Sequence, residues 1–185
     1  KVTVFDPVDG ARRSLRDRVS ESLRMLGEDS SVASDIIVTE DFAEAVSIAD
    51  YVTEAVPEKL ELKRAVFADL EKLAPAGAIL ASNTSVIPIS RITKGLSSAH
   101  RMVGTHWWNP PYLVPLVEVV QAEKTDDQTL ARTMVLLKSV GKEPAHVRKD
   151  VPGFVANRLQ HALWREAIAM VAEGICDPAT LDSCV

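Results

Sequence analysis

Three side chains in the second half of the chain are suited to acid–base chemistry. His106 offers a titratable imidazole, Glu118 a carboxylate that can orient it, and Asn157 an amide that can donate to an oxygen. Oxidation of a secondary alcohol by hydride transfer needs a base for the hydroxyl proton, a group that fixes the base and a donor that polarises the carbonyl. These residue types favour an oxidoreductase, although a lone histidine at a strand end is more often structural.

The composition is that of an ordinary globular protein. Of the 185 residues, 46% are apolar and 25% charged, with a net charge of -5, which does not indicate a nucleic-acid partner. No apolar run reaches the length of a membrane span and no signal peptide is recognised. We therefore expect no membrane association and a cytoplasmic location, or a compartment reached by a signal outside these residues. Cys176 and Cys184 are spaced neither as zinc ligands nor as a redox pair, so we expect free thiols and no metal.

Strand-like and helix-like segments alternate along the first 150 residues. Strands are predicted at residues 1–5, 36–39, 51–56, 78–81, 102–106, 114–120 and 145–147. Helices are predicted at residues 15–26, 42–48, 59–73 and 126–140, the last capped by Thr125 and ended by Gly141. This alternation is typical of an α/β protein with a mostly parallel, doubly wound sheet. A helix over 154–173, longer than the others, and a second helix near Ala179 predict the start of an all-α domain.

Asp6 closes the first predicted strand and points to a dinucleotide. In a dinucleotide-binding fold, an acidic residue at the end of the second strand binds the adenosine ribose hydroxyls and disfavours a 2′-phosphate, so it favours NAD over NADP. The glycine-rich turn that should precede it by about 20 residues is not in this sequence. We therefore expect an amino-terminal truncation inside the second strand. An aspartate in this position is otherwise commonly a turn residue.

Six motifs, in this order, resemble those of the 3-hydroxyacyl-CoA dehydrogenase superfamily. They are FDP at 5–7, TEAVPE with Lys63 at 53–63, ASNTS at 81–85, HWWNP at 106–110, LVEV at 116–119 and PGFVANR at 152–158. The resemblance covers essentially the whole chain. It implies a Rossmann-like NAD-binding domain over 1–149, then the start of a helical substrate and dimerisation domain over 150–185. It also implies a homodimeric parent, and we expect residues 1–185 alone to bind NAD weakly and to turn over negligibly.

The resemblance also implies roles for individual residues. His106 would be the base, Glu118 its partner, and Ser85 and Asn157 the residues that bond the substrate oxygen. The implied cofactor contacts are Asp6, Ala55, Glu58, Lys63, Ser85 and Asn109, and the implied contact to the CoA nucleotide is Ser22. Each has a simpler alternative: Glu58 and Lys63 could be a solvated helix face, Asn109 a turn former and Asn157 an ordinary first-turn residue.

The implied reaction is oxidation of the 3-hydroxyl of a 3-hydroxyacyl-CoA to the ketone, as in fatty acid metabolism. The sequence departs from the superfamily at Trp107 and Trp108, which replace the usual phenylalanines and are expected to pack or wall the pocket. A second departure bears on the substrate, because Glu28 and Asp29 follow Ser22 where positive charge would help bind phosphate. The segments VPEKLELK at 56–63, NPPYLVPLVEVV at 109–120 and NRLQ at 157–160 more closely resemble the branch of L-gulonate dehydrogenase (lambda-crystallin) and L-carnitine dehydrogenase. Two alternatives therefore stay open, a dehydrogenase of a free 3-hydroxy acid and a non-catalytic, crystallin-like binding protein.

Overall fold

A computed structural model describes residues 1–185 and contains seven β-strands. They are β1 (Thr3–Phe5), β2 (Ile37–Thr39), β3 (Tyr51–Glu54), β4 (Ile79–Ser82), β5 (Met102–Trp107), β6 (Leu116–Val120) and β7 (Glu143–Val147). Strands β3 to β7 form one sheet in that order, and β1 pairs with β2 in a separate two-stranded sheet. Each strand lies within two residues of its predicted position, so the strand pattern of the sequence was informative.

The helices are α1 (Asp9–Met25), α2 (Phe42–Val46), α3 (Leu60–Leu73), α4 (Ile89–Ile92), α5 (Asp127–Ser139), α6 (Ala156–Ala172) and α7 (Pro178–Asp182), with 3₁₀ turns at Ser30–Asp35 and Ala99–Arg101. Helix α4 and the two 3₁₀ turns were not predicted. The prediction that the helix after residue 153 is the longest is wrong, because α1 and α6 both have 17 residues. Thr125 is not the cap of α5. Asp126 holds that position, because its side chain accepts a hydrogen bond from the Thr129 amide.

All strand pairs are parallel except β5 with β6. A parallel connection needs a crossover of about a dozen residues or more, and the segment 108–115 between these two strands is too short for one. The chain therefore reverses direction, and His106 on β5 comes to lie opposite Glu118 on β6. The prediction of a mostly parallel, Rossmann-like α/β fold followed by a helical segment is confirmed.

Two separate apolar clusters cover the two faces of the five-stranded sheet. Phe67 and Leu70 of α3 pack in one cluster, and Leu137 of α5 packs in the other. The strands alternate between them, since successive side chains point to opposite faces: Leu80 belongs to the first cluster and Ala81 to the second. Helices thus cover both faces of the sheet, as in a doubly wound fold. Because the faces are covered, a ligand can reach the sheet only at the ends of its strands.

Helix α6 differs from α3 and α5 because none of its residues is buried. Its exposed large apolar side chains are Leu159, Leu163, Trp164 and Ile168. No helix in the chain combines the length and the apolar character that crossing a bilayer requires.

Candidate active site

The centre of the candidate site is a pair formed by His106 and Glu118. The two residues are direct partners in the antiparallel register of β5 and β6, which brings side chains on one face within reach of each other. His106 Nδ1 lies 2.8 Å from Glu118 Oε2, and the two residues are 7% and 2% exposed. Because both are shielded from water, the interaction between them is stronger than it would be at the surface.

The second oxygen of Glu118 holds the beginning of α6. Its Oε1 accepts hydrogen bonds from the amides of Val155 at 2.9 Å and Ala156 at 3.0 Å. Burial alone would raise the pKa of Glu118, but the bonds from His106 and these two amides outweigh it and lower the pKa. The carboxylate is therefore charged near neutral pH and can only accept, so the hydrogen of the neutral imidazole sits on Nδ1 and its Nε2 presents a lone pair.

Two aromatic rings flank the imidazole. The centroid of the Trp108 ring is 5.8 Å from that of His106, and the Phe154 ring lies at 5.9 Å. Trp107 packs instead against the cluster on the opposite face of the sheet. The two tryptophans therefore differ in their surroundings: Trp108 lies beside the imidazole, and Trp107 is half-buried against the core cluster on the other face.

Asn157 meets Ser85 across the space between α6 and the loop after β4. The side-chain Nδ2 of Asn157 donates to the backbone oxygen of Ser85 at 2.9 Å. One of the two Nδ2 hydrogens is used in this contact and the other is available to a ligand. Nearby, Asn83 accepts a hydrogen bond from the Trp107 amide at 2.9 Å and so ties the β4 loop to the end of β5. Sequence reasoning missed Asn83, although it lies within the ASNTS motif.

Glu58 and Lys63 lie at the entrance of α3, next to the same loop. Glu58 Oε1 accepts from the amides of Ser85 at 3.1 Å and Val86 at 3.1 Å, and its side chain is 35% exposed. Lys63 is 1% exposed, so the alternative that these residues form a solvated helix face is wrong for it. Ala55, which precedes them, is exposed at the end of β3. The structure thus places Ala55, Glu58 and Ser85 on adjoining loops.

Asp6, Asn109 and Ser22 stand apart from the His106–Glu118 pair. Asp6 follows β1, and its Oδ1 accepts from the Val8 amide at 2.8 Å, as an aspartate that shapes a turn does. Asn109 is exposed and precedes a cis peptide bond to Pro110. Ser22 lies on α1, where its hydroxyl donates to the Arg18 carbonyl of its own helix. None of the three forms a hydrogen bond with another predicted site residue.

The geometry fits a dinucleotide at one edge of the sheet. Strands β3, β4 and β5 are parallel, so the loops that begin at Ala55, Asn83 and Trp108 leave the sheet at the same edge. In open α/β sheets, dinucleotides bind outside the carboxyl ends of the strands. The remaining oxygen of Asp6, Oδ2, forms no hydrogen bond within the chain and can accept from ribose hydroxyls. No group of three or more His, Cys, Asp or Glu side chains is placed to hold a metal ion.

A doubly wound sheet that carries a buried histidine–glutamate pair beside its loop edge defines a dinucleotide-binding protein equipped for proton transfer. The family model described as 3-hydroxyacyl-CoA dehydrogenase, NAD binding domain, matches residues 1–151, and that of the C-terminal domain matches residues 153–185. The chain belongs to the 3-hydroxyacyl-CoA dehydrogenase family. The prediction of this family is confirmed, and the matching family model supports NAD as the cofactor of the domain it describes.

Three similar proteins place the chain within the family. It is 47% identical over 147 residues to 5-formyl-3-hydroxy-2-methylpyridine 4-carboxylate 5-dehydrogenase of Mesorhizobium japonicum, covering 80% of this chain and 48% of that protein. It is 41% identical over 178 residues to L-carnitine dehydrogenase of Streptomyces coelicolor, covering 94% of this chain and 56% of that protein. A crystal structure of 5-formyl-3-hydroxy-2-methylpyridine 4-carboxylic acid 5-dehydrogenase, an NAD⁺-dependent dismutase, superposes with a TM-score of 0.90 at 41% identity, covering 100% of this chain and 62% of that one. The chain thus spans about half to three-fifths of these relatives.

Proposed function

We propose that the whole protein oxidises the 3-hydroxyl of a 3-hydroxy acid derivative to the ketone by hydride transfer to NAD, with His106 as the general base. The observation that carries the proposal is the 2.8 Å contact between His106 Nδ1 and Glu118 Oε2. It leaves Nε2 as the basic nitrogen of a buried imidazole, which is the atom that must receive the hydroxyl proton.

The proposed step removes one hydride and one proton from the alcohol. The carbinol carbon loses hydride, the hydroxyl oxygen loses its proton to His106 Nε2, and the products are a ketone and an imidazolium. NAD supplies the hydride acceptor. Glu118 stabilises the imidazolium through its negative charge, and the second Nδ2 hydrogen of Asn157 donates to the oxygen that becomes the carbonyl. In the reverse direction His106 returns the proton.

Six residues are proposed to contact the cofactor: Asp6, Ala55, Glu58, Lys63, Ser85 and Asn109. The adenosine end would lie at Asp6, and the nicotinamide end at the loops that carry Ala55 and Ser85. The division into an NAD-binding domain over 1–149 and a helical domain over 150–185 is part of the same proposal. The apolar face of α6 favours a homodimeric parent, and the cytoplasmic location stays a prediction.

The substrate proposed first is a 3-hydroxyacyl-CoA, the substrate in the name of the family. A free 3-hydroxy acid is the second candidate, and the charges around Ser22 favour it. Arg24 and Arg18 are balanced there by Glu21, Glu28 and Asp29, so the phosphates of CoA would gain little. The two curated relatives described above are named for compounds without CoA, and one of these compounds is carnitine.

The test is NADH formation by the whole protein with 3-hydroxybutyryl-CoA, carnitine and gulonate in parallel. Activity that disappears in His106→Gln and persists in His146→Gln would support the proposed base, because His146 is an exposed histidine on β7. The substrate with the highest kcat/KM decides between the two candidates. Inactivity with all three compounds, together with intact NADH binding, would favour a non-catalytic binding protein.

A further inference from the structure

Glu54, the last residue of β3, is a buried carboxylate to which sequence reasoning gave no role. It is 4% exposed. Its Oε1 accepts from Lys63 Nζ at 2.8 Å and from the Val56 amide at 2.6 Å, while its Oε2 accepts from the Ser82 hydroxyl at 2.6 Å. A carboxylate is costly to bury unless it is paired and hydrogen-bonded. Here both oxygens are satisfied, and they join the ends of β3 and β4 to the first turn of α3.

Lys63 lies between Glu54 and Glu58. Its Nζ is 2.8 Å from Glu54 Oε1, 3.1 Å from the Val56 carbonyl oxygen and 3.4 Å from Glu58 Oε2. An ammonium carries three hydrogens, and two of them are used in the hydrogen bonds to Glu54 and Val56, while the charge also pairs with Glu58. The side chain is 1% exposed and holds the two carboxylates in place, and its third hydrogen remains for the proposed cofactor contact.

Glu58 is hydrogen-bonded to the turn formed by residues 84–87. Its Oε1 accepts from the Thr84 hydroxyl and from the amides of Ser85, Val86 and Ile87. Burial favours a higher pKa for Glu58, but the Thr84 hydroxyl, the amides and the charge of Lys63 together lower it. The same turn presents the Ser85 carbonyl to Asn157 and the Val86 carbonyl to the Gly153 amide.

We propose that Glu54 is a positioning residue for the candidate site. Through Lys63 and Glu58 it fixes the turn 84–87, and therefore also the Ser85 carbonyl oxygen to which the side chain of Asn157 donates. The charges along this path are negative, positive and negative, so removing the charge of Glu54 leaves Lys63 attracted to Glu58 alone and free to move toward it. The importance of this placement for catalysis rests on the proposed function, but the placement itself is measurable without any turnover.

The test compares Glu54→Gln with Glu71→Gln in the whole protein. Glu71 is a matched control, because it is a carboxylate of the same helix α3 that holds a different turn, through the Ser98 amide at 2.7 Å and the hydroxyls of Ser97 and Ser98. Hydrogen exchange, followed by mass spectrometry, should be about tenfold faster across residues 84–87 in Glu54→Gln, because a charge-assisted bond is replaced by a neutral one. In Glu71→Gln the turn 84–87 should exchange as in the wild type.

A second readout separates a positioning role from a merely structural one. A displaced turn should lower kcat of the folded enzyme about 10- to 100-fold and weaken NADH binding, while the shape of the pH profile stays that of the wild type, because the His106–Glu118 pair is untouched. Lys63→Met should give the same defects, and the double variant Glu54→Gln/Lys63→Met should be no worse than Lys63→Met alone, since Glu54 acts through Lys63.

Wild-type exchange across 84–87 in Glu54→Gln would overturn the proposal, and so would additive effects of the two single variants. If Glu54→Gln does not fold, Ser82→Ala decides, because it removes one donor to Glu54 and leaves all charges in place. The Ser82 hydroxyl also accepts from the Thr84 amide at 3.3 Å, so the readout is taken at the amides of residues 85–87. Exchange should be faster at those three amides, and unchanged exchange there would again overturn the proposal. If the wild type oxidises no substrate, the proposed function fails, while the exchange and NADH-binding data still decide the role of Glu54.

Discussion

Replacing Glu118 with glutamine should remove the base function of His106 while α6 keeps its place. The two oxygens of Glu118 face different partners: Oε2 faces His106 Nδ1, and Oε1 accepts from two backbone amides, those of Val155 and Ala156. A glutamine must turn its oxygen toward the two amides, because they can only donate. Its NH₂ group then faces Nδ1 and donates to it, so the ring hydrogen moves to Nε2 and the nitrogen facing the substrate is no longer basic.

The expected sizes of the two effects follow from the same contacts. Loss of a general base lowers kcat by about 10²- to 10⁴-fold. Stability changes much less: three hydrogen bonds to a charged group, worth about 1.5–3 kcal/mol each, become neutral bonds worth about 0.5–1.5 kcal/mol. The glutamine is also cheaper to bury than the carboxylate, so the net loss should be about 1–3 kcal/mol. The activity should therefore fall far more than the folded fraction.

The assay measures kcat, the urea unfolding midpoint and the ¹⁵N chemical shifts of the His106 ring in the wild type and in Glu118→Gln. Glu143→Gln is the control, because Glu143 is an exposed carboxylate on the neighbouring strand β7. The assigned role of Glu118 is refuted if Glu118→Gln keeps the kcat of the wild type. It is also refuted if kcat falls only in proportion to unfolding, or if the ring hydrogen stays on Nδ1.

Three further outcomes are expected. His106→Gln should leave NAD affinity nearly unchanged by calorimetry and cut turnover about 100-fold or more; an equal loss of NAD affinity would make His106 structural. Gly104→Ala should destabilise the protein by about 1–3 kcal/mol in urea, because an added methyl would lie 2.9 Å from carbons of two neighbouring side chains, whereas Gly10→Ala meets nothing within 4 Å and should not destabilise. Folding lowers the pKa of Glu58 and Glu118 below the usual 4.5, so their stabilisation is complete above that value and is lost as the pH falls through the lowered values. Urea midpoints should thus drop on the acid side, and the drop should shrink when both residues are replaced by glutamine.

Local patterns were sufficient to predict the strands and most of the helices. The apolar spacing of α3 and the short apolar strand β4 are properties of consecutive residues, so their positions could be read from the sequence. The start of α6 could not be predicted in this way. Phe154 has a φ of 48°, which is not a helical value, so the helix begins only after it, at Ala156. The cap of α5 was misplaced by one residue, since Thr125 and Asp126 are both good capping residues and only the folded backbone distinguishes them.

The residues of the candidate site could be predicted where they have a role in a sequence motif. They could not be predicted where their role depends on contacts between different elements of the fold. His106, Glu118, Ser85 and Asn157 lie in motifs, and the structure joins them in two contacting pairs. Glu54 was missed because its side-chain partners, Lys63 on α3 and Ser82 on β4, belong to other elements of the fold. The signal that could have found it is a charged residue inside a strand that is otherwise suited to burial.

The antiparallel pairing of β5 and β6 aligns His106 with Glu118 independently of the segment that connects the two strands. The register of the two strands is held on both sides, by β4 next to β5 and by β7 next to β6. The connecting segment 108–115 is therefore not needed to align the imidazole with its carboxylate. We expect changes of length or composition in that segment to reshape the region next to Trp108 while His106 and Glu118 stay paired.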